Sequence, residues 1–439
     1  MKNTSPWAVR ALSRLLVMVM ALVVGFGPVT SSYAQAVDPV ARGLAAKAAK
    51  FNPTATPYAD QIKGAVGRKL TIWHGALADR SRSPAVIVAI GDSITEQSRA
   101  SLLANSWVSV LRDEYRRNYP VAGVVGGRGY ISLYKPGAGT GAPPTDYPCK
   151  QTVGTARFDD NYGPAQRTAA PNASATYVCT LFGTSADIMW RSQAGGGVFD
   201  YSVDGGSVTQ VATDDGTATD GKLTRVTLGA AGEHTLTLRW VSGVPFIDGV
   251  IEYNGDESAG IRVHNAGHSG ITGALWASRN SVNRWQKAVA AFNPKLVIIS
   301  LGVNDFGCVD IGSSISGGVA NPQSPGQYCS TPPLLASSVN SIISQLRSAG
   351  VSASFIVHMM HTPNYASPNQ VGYSWDNFVT AVQASVANDN DVAFKDNRLR
   401  MLDVANDNQG TYYPGDTVHP SDRGHGMIGE STFGFSRPQ

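Results

Sequence analysis

Ser93, Asp416 and His419 are three residues that can cleave an ester if the fold brings them together. A serine hydroxyl is a poor nucleophile until a base takes its proton, and an imidazole within hydrogen-bond reach is the usual base. The imidazole in turn needs a carboxylate to fix its tautomer and stabilise its cation. Asp416 and His419 stand three residues apart in "DTVH", so on a turn both can point one way. Asp416 would then hold one ring nitrogen while the other faces Ser93. The tetrahedral intermediate also needs preset donors around its oxyanion. Candidates are the backbone N–H groups of Ser93 and Gly270 and the side-chain amide of Asn304. Each residue alone is weak evidence, because a serine after a strand most often caps the next helix.

The elements around these residues are what give them weight. "AVIVAIGDS" runs six apolar residues into Gly91-Asp92-Ser93. A Val/Ile run of that length reads as a strand buried on both faces of a parallel sheet. "GIRVHN" and "KLVIISLG" read as two more strands, followed by Gly270 and by Asn304 of "GVND". "VSASFIVHMM" and "DVAFKD" continue the set, and "LRMLDV" is strand-like. Between them lie helical patterns: "WVSVLRDEYRRNYP", "ITGALWASRNSVNRWQKAVAAF", "LLASSVNSIISQLRSAG" and "WDNFVTAVQASVA". Strands alternating with helices imply a parallel sheet covered on both faces. In such sheets ligands sit beyond the carboxyl ends of the strands, where all the candidate residues fall.

From about Tyr130 to Asn254 the texture changes to Gly, Thr, Ser and Asp with short alternating runs such as "ATYVCTLFG", "VFDYSVDGGSVTQVAT" and "HTLTLRWVSG". These read as strands joined by tight turns, with "DGG" at Asp204–Gly206 as a hairpin, and suggest a β-sandwich. The expected architecture is therefore an α/β domain, residues 37–130 and 259–439, interrupted by an all-β domain at 131–258.

The set Ser93, Gly270, Asn304, Asp416 and His419, in this order at these strand ends, resembles the SGNH hydrolases, also called GDSL-type esterases and lipases. The resemblance covers Ala85–Tyr130 and roughly Gly260–Phe435. It implies a flavodoxin-like three-layer α/β/α sandwich and no cofactor. It assigns Ser93 as nucleophile, Asp416 and His419 as its partners, and Ser93, Gly270 and Asn304 as the oxyanion hole. Ile94 replaces the leucine of the "GDSL" name, a change in packing only. The β insertion is not part of the minimal family. It resembles the jelly-roll or carbohydrate-binding modules that accompany some SGNH carbohydrate esterases, including peptidoglycan O-acetylesterases. The expected substrate is an O-acetylated carbohydrate. The alternatives are a lipase or arylesterase on lipid or small acyl esters, and a carbohydrate-binding or adhesion protein with an inactive scaffold.

Composition narrows the setting. Lys2, Arg10 and Arg14, the apolar "LLVMVMALVVGFG" and the small residues of "AQA" (Ala34–Ala36) read as a cleavable signal peptide over residues 1–36, with an uncleaved N-terminal anchor as the alternative. Its removal leaves 32 Lys and Arg against 32 Asp and Glu, a balance that favours neither nucleic acid nor anionic lipid. No second long apolar stretch comes after it, so the expected product is a secreted or periplasmic monomer without an integral membrane segment. The Ala-rich stretch 37–80 reads as a helical extension on the main domain. Cys149, Cys179, Cys308 and Cys329 fit an oxidising compartment; three pairings are possible, and local loops favour Cys149–Cys179 and Cys308–Cys329.

Several other residues have a plainer reading. His264 and His268 flank Gly270 and are expected to satisfy backbone groups there. His358 and His361 have a spacing that could hold a metal, but no nearby Cys or acid supports one. His425 reads as structural, and Asp92 and Asp305 as braces for their turns. Trp73, Trp107 and Trp276 read as core. Trp190 and Trp240 could stack on a sugar, but in a sandwich they are more often core.

Overall fold

A computed structural model of the protein describes residues 65–134, 144–154, 158–160, 163–169, 174–280, 284–363, 368–401, 407, 410–413, 415 and 418–438. The expected signal peptide, the start of the helical extension and Asp416 lie outside the described residues. The described part of the extension is two short helices, α1 (Ala65–Lys69) and α2 (Thr71–Ala78).

β1 (Ala85–Gly91) is buried at every position, as its unbroken apolar run requires. It pairs in parallel with β11 (Ile261–Gly267) on one side and β12 (Leu296–Ser300) on the other. β15 (Ser354–Met359) and β16 (Val392–Asp396) extend the sheet beyond β12. The order β11-β1-β12-β15-β16 is that of flavodoxin, with the reversal of winding between β1 and β12. Helices cover both faces. On one, Trp73 of α2 meets Tyr115 of α3 (Trp107–Asn118), which meets Phe433 of α9 (Asp422–Ser436). On the other, Arg347 of α7 (Pro332–Ser348) lies over Phe355 of β15, and Trp375 of α8 (Trp375–Val386) packs on Phe306. Ser106, Thr331, Ser374 and Ser421 cap α3, α7, α8 and α9.

The pattern read as one helix over 271–292 is two. α4 (Gly273–Ser278) starts at the Thr272 cap and stops at Arg279, and α5 is Trp285–Ala291. The Trp285 indole donates to the Arg279 carbonyl at 2.7 Å, so the break is bridged by a side chain where a continuous helix would use its backbone. Within "LRMLDV", Leu399 ends a short 3-10 turn, Asn397–Leu399, and residues 402–406 lie outside the described residues.

A second sheet, antiparallel throughout, contains β2 (Gly129–Ser132), β3 (Cys149–Val153), β4 (Phe158–Asp160), β5 (Arg167–Ala169), β6 (Thr176–Ser192), β7 (Gly197–Val203), β8 (Thr209–Ala212), β9 (Thr219–Gly243) and β10 (Phe246–Tyr253). A sandwich of separate sheets was expected, but these strands form one continuous sheet. β6 and β9 run through both halves and pair along nearly their whole length. Their register shifts at Gly183, where an added Cβ would lie 2.1 Å from the Tyr253 carbonyl. Tyr177, Leu181, Phe199, Leu236, Trp240 and Ile247 share one core across the two halves. Asp204 and Gly205 both have positive φ (51° and 69°), the type I′ geometry that "DGG" predicts. Both disulfides join the expected partners, Cys149 to Cys179 across the β3–β6 pair and Cys308 to Cys329.

Candidate active site

The carboxyl end of β1 must pass between two neighbouring backbones, and this explains its glycine. A Cβ on Gly91 would lie 2.1 Å from Thr95 Oγ1 and 2.6 Å from the Ser300 carbonyl. Gly267, opposite Gly91 in the register, is as tight, with a Cβ position 2.2 Å from the Glu96 nitrogen. The strand ends are thus close-packed, and Ser93, Gly270 and Asn304 come two, three and four residues beyond Gly91, Gly267 and Ser300. Asp92 N donates to the Ser300 carbonyl (3.3 Å) and His268 N to the Gly91 carbonyl (2.8 Å), stitching the three ends together.

Ser93 Oγ lies 2.8 Å from His419 Nε2, and both residues are buried. His419 arrives on the turn before α9, whose cap is Ser421. His361 holds that turn: its Nε2–H donates to the Val418 carbonyl at 2.9 Å, and its ring lies 4.5 Å from that of Tyr413. Asp422 accepts from Ser101 N (2.7 Å) and Asn105 Nδ2 (2.9 Å), so the start of α9 is also tied to the loop after Ser93.

On the opposite side, Asn304 sits in the four-residue helix α6 (Val303–Phe306), entered through Gly302 at φ 122°. Asn304 Nδ2 donates to the Ile271 carbonyl at 2.8 Å, and Asp305 Oδ2 accepts from Gly273 N at 2.8 Å. These bonds clamp the Asn304 turn to the Gly270 loop. Gly270 itself has φ 77° with nothing within 4 Å of a Cβ position, so glycine is required by backbone conformation and not by crowding. Glu96 Oε2 accepts from Ser269 N at 3.1 Å. The Cys308–Cys329 bond closes the next loop, containing the small hairpin β13 (Val319–Ala320) and β14 (Tyr328–Cys329), and Val309 N donates back to the Asn304 carbonyl at 3.0 Å.

Asp92 is a brace: Oδ1 accepts from Ile94 N at 3.0 Å, and Oδ2 is buried without a hydrogen-bond partner. Burial raises its carboxyl to about 7, against the opposing pull of the Ile94 N–H and of His419. Burial likewise raises Asp305, partly offset by the Gly273 N–H.

The two histidines expected to satisfy backbone groups of the Gly270 loop instead bind backbone of other segments. His264 Nδ1 accepts from Tyr130 N (3.1 Å), and His268 Nδ1–H donates to the Ala165 carbonyl (3.0 Å). His425 bridges Trp107 N and the Ser98 carbonyl, and burial lowers it to about 4, so it stays neutral. His358 and His361, read as a possible metal pair, face different partners: His358 Nε2 meets Lys395 Nζ at 3.0 Å, and His361 meets Val418. Among the described residues no group of three or more His, Cys, Asp or Glu is placed to hold a metal. Trp73, Trp107 and Trp276 are fully buried; Trp240 is buried, with its indole N–H on the Pro245 carbonyl, and the half-buried Trp190 donates to Thr224. The roles of His361 and of the Ala165–Gln166 segment were not visible in the sequence. The only signal was the spacing of His361 from His358, which pointed elsewhere.

The GDSL-like lipase/acylhydrolase family matches residues 247–427, which takes in Gly270, Asn304 and the segment of Asp416 and His419. Ser93 lies outside that match, and it is the position of β1 between β11 and β12 that brings it to the same edge. The protein is a carboxylic ester hydrolase, and over residues 247–427 it is similar to the GDSL-like lipases and acylhydrolases. No curated protein matches it by sequence. A solved peptidoglycan O-acetylesterase is similar in fold at 15% identity, with a TM-score of 0.57 over 85% of this chain and 95% of the other. An active-site mutant of a family two carbohydrate esterase from Clostridium thermocellum is 14% identical, with a TM-score of 0.28 over 64% of this chain and 97% of that one. A GDSL-like lipase from Bacteroides ovatus is 12% identical, with a TM-score of 0.27 over 59% and 82%.

Proposed function

We propose that the protein is a secreted serine esterase that removes O-acetyl groups from a carbohydrate, either a plant polysaccharide or a cell-wall glycan. The observation that carries the reading is the 2.8 Å contact between Ser93 Oγ and His419 Nε2 at the edge where the winding of the sheet reverses. Ser93 attacks the ester carbonyl while His419, oriented by Asp416, accepts its proton. The N–H groups of Ser93 and Gly270 and one N–H of the Asn304 amide hold the oxyanion. His419 then protonates the leaving alcohol, and water releases acetate by the same route. No cofactor enters this scheme.

Two features favour a carbohydrate over a lipid. The fold likeness to a peptidoglycan O-acetylesterase extends over more of the chain than the parallel sheet occupies, which supports reading 131–258 as an inserted β module. The loop 310–330, the place that a lipase lid would occupy, is a largely exposed hairpin tied by the Cys308–Cys329 disulfide rather than an apolar helix. Its disulfides suit an oxidising compartment, and among the described residues no helix is long and apolar enough to cross a membrane.

The test is acetate release by the mature protein and its Ser93→Ala variant on acetylated xylan, acetylated peptidoglycan and p-nitrophenyl esters of rising chain length. Serine-dependent release from one polymer, with preference for acetyl, supports the proposal and selects the substrate. Preference for long chains moves the protein to the lipase reading. The absence of any serine-dependent release would leave a binding protein.

A further inference from the structure

One short turn just before β5 of the antiparallel sheet holds the Gly270 loop from both sides. Residues 163–166, "GPAQ", form a turn closed by Gln166 N donating to the Gly163 carbonyl at 3.0 Å. The Ala165 carbonyl accepts from His268 Nδ1, two residues before Gly270. The Gln166 amide grips the far end of helix α4, just after Gly270: Nε2 donates to the Trp276 carbonyl (3.3 Å) and Oε1 accepts from Arg279 Nη1 (3.1 Å).

Gln166 is fully buried and has φ 53°, a left-handed conformation that a residue with a Cβ adopts at a cost. That conformation persists because the side chain is held at both of its polar atoms in a buried site, where an orphaned partner is expensive. The base of the segment is equally fixed. Gly163 N donates to Asp220 Oδ2 at 3.1 Å, and a Cβ on Gly163 would lie 2.8 Å from the buried Asp248 carboxyl. Asp220 in turn lies 3.5 Å from Arg191 of β6. A continuous set of contacts therefore runs from the β6–β9–β10 core, through this turn, to the loop that presents the Gly270 N–H.

We propose that residues 163–166 are a positioning arm, and that Gln166 and the Ala165 carbonyl set the Gly270 loop for oxyanion binding. This rests on the reading of Gly270 as an oxyanion donor. Gln166 touches no reacting atom; it acts through His268 and α4.

The test uses the mature protein and Gln166→Gly, which accepts the left-handed backbone while deleting the side-chain grip. Two readouts are needed. Hydrogen exchange of residues 268–276 should rise at least tenfold in Gln166→Gly, with the β12 strand unchanged. On p-nitrophenyl acetate kcat should fall at least tenfold, with KM within twofold. Gln166→Glu keeps the Arg279 partner but sets a carboxylate oxygen against the Trp276 carbonyl; exchange at 268–276 should rise and kcat should fall as in the glycine variant, and it carries the test if that variant does not fold. Unchanged exchange at 268–276, or a loss confined to KM, would overturn the arm. If wild type shows no Ser93-dependent turnover, the esterase reading fails, while the exchange data still decide whether the arm holds the loop.

Discussion

Asn304→Ala separates the bond that its amide makes to the Ile271 carbonyl from the oxyanion role proposed for it. Asn304 Nδ2 carries two hydrogens, and one is already committed to the Ile271 carbonyl at 2.8 Å. In the proposed site that bond fixes the amide, so the donor proposed for the oxyanion would need no reorganisation during reaction. If the proposed role holds, truncation to alanine removes an oxyanion donor and should cost about a hundred- to a thousandfold in kcat, or roughly 3–4 kcal/mol of transition-state binding. It also strands a buried carbonyl, which costs about 1–3 kcal/mol of folding stability. The ground-state ester makes little use of the donor, so KM should stay within about threefold. The assay is p-nitrophenol release from p-nitrophenyl acetate, with thermal unfolding run alongside. A variant within threefold of wild-type kcat, yet destabilised as expected, would show that the amide braces the loop and does not bind the oxyanion.

Further outcomes rest on the same geometry. Gly91→Ala forces a methyl against the Ser300 backbone and Thr95, so it should lose about 1–3 kcal/mol or fail to fold, read by thermal melting. His361→Ala removes the donor that holds Val418 beside His419; kcat should fall about tenfold and stability by about 1–3 kcal/mol, with esterase rate and melting measured together. Asp92 is raised in the folded state to about 7, so its folded form favours the proton. Its contribution is fully present below the ordinary carboxylate range and is lost as pH rises towards 7, by up to about 4 kcal/mol. Asp92→Asn should therefore shrink the drop in melting temperature between pH 5 and pH 8; an unchanged drop would place its origin elsewhere.

Much of the site was legible because its parts sit at the ends of strands that the sequence marks strongly. "AVIVAI" can only be a strand buried on both faces, and the residues just beyond the carboxyl end of such a strand in a parallel sheet face a crevice. The pairing of Ser93 with His419 is a consequence of that placement. The arm was not legible, because Gln166 is a single polar residue in a short turn and its partners are 110 and 113 residues away. The long strands β6 and β9 were misjudged for a related reason. Gly183 and the "GAAG" of β9 read as strand ends, whereas in the fold they are where the β6–β9 register shifts within one sheet. The break between α4 and α5 escaped because the apolar spacing continues through it, and only the bond from Trp285 to Arg279 shows that the backbone does not.

The pairing of β1 also sets when the enzyme can come into being. Ala85 pairs with Ile261 and Ile87 with Leu296, so the central strand leaves the ribosome long before either neighbour exists. Closing such distant contacts is slow, because the chain loses loop entropy before it gains sheet. The strands of the antiparallel sheet all precede β11, so that sheet can form in the meantime. Until β11 and β12 are made, β1 is an unpaired and wholly apolar segment, the kind of exposed edge that drives aggregation. Refolding from denaturant should therefore recover antiparallel structure first and activity last, with a yield that falls as protein concentration rises.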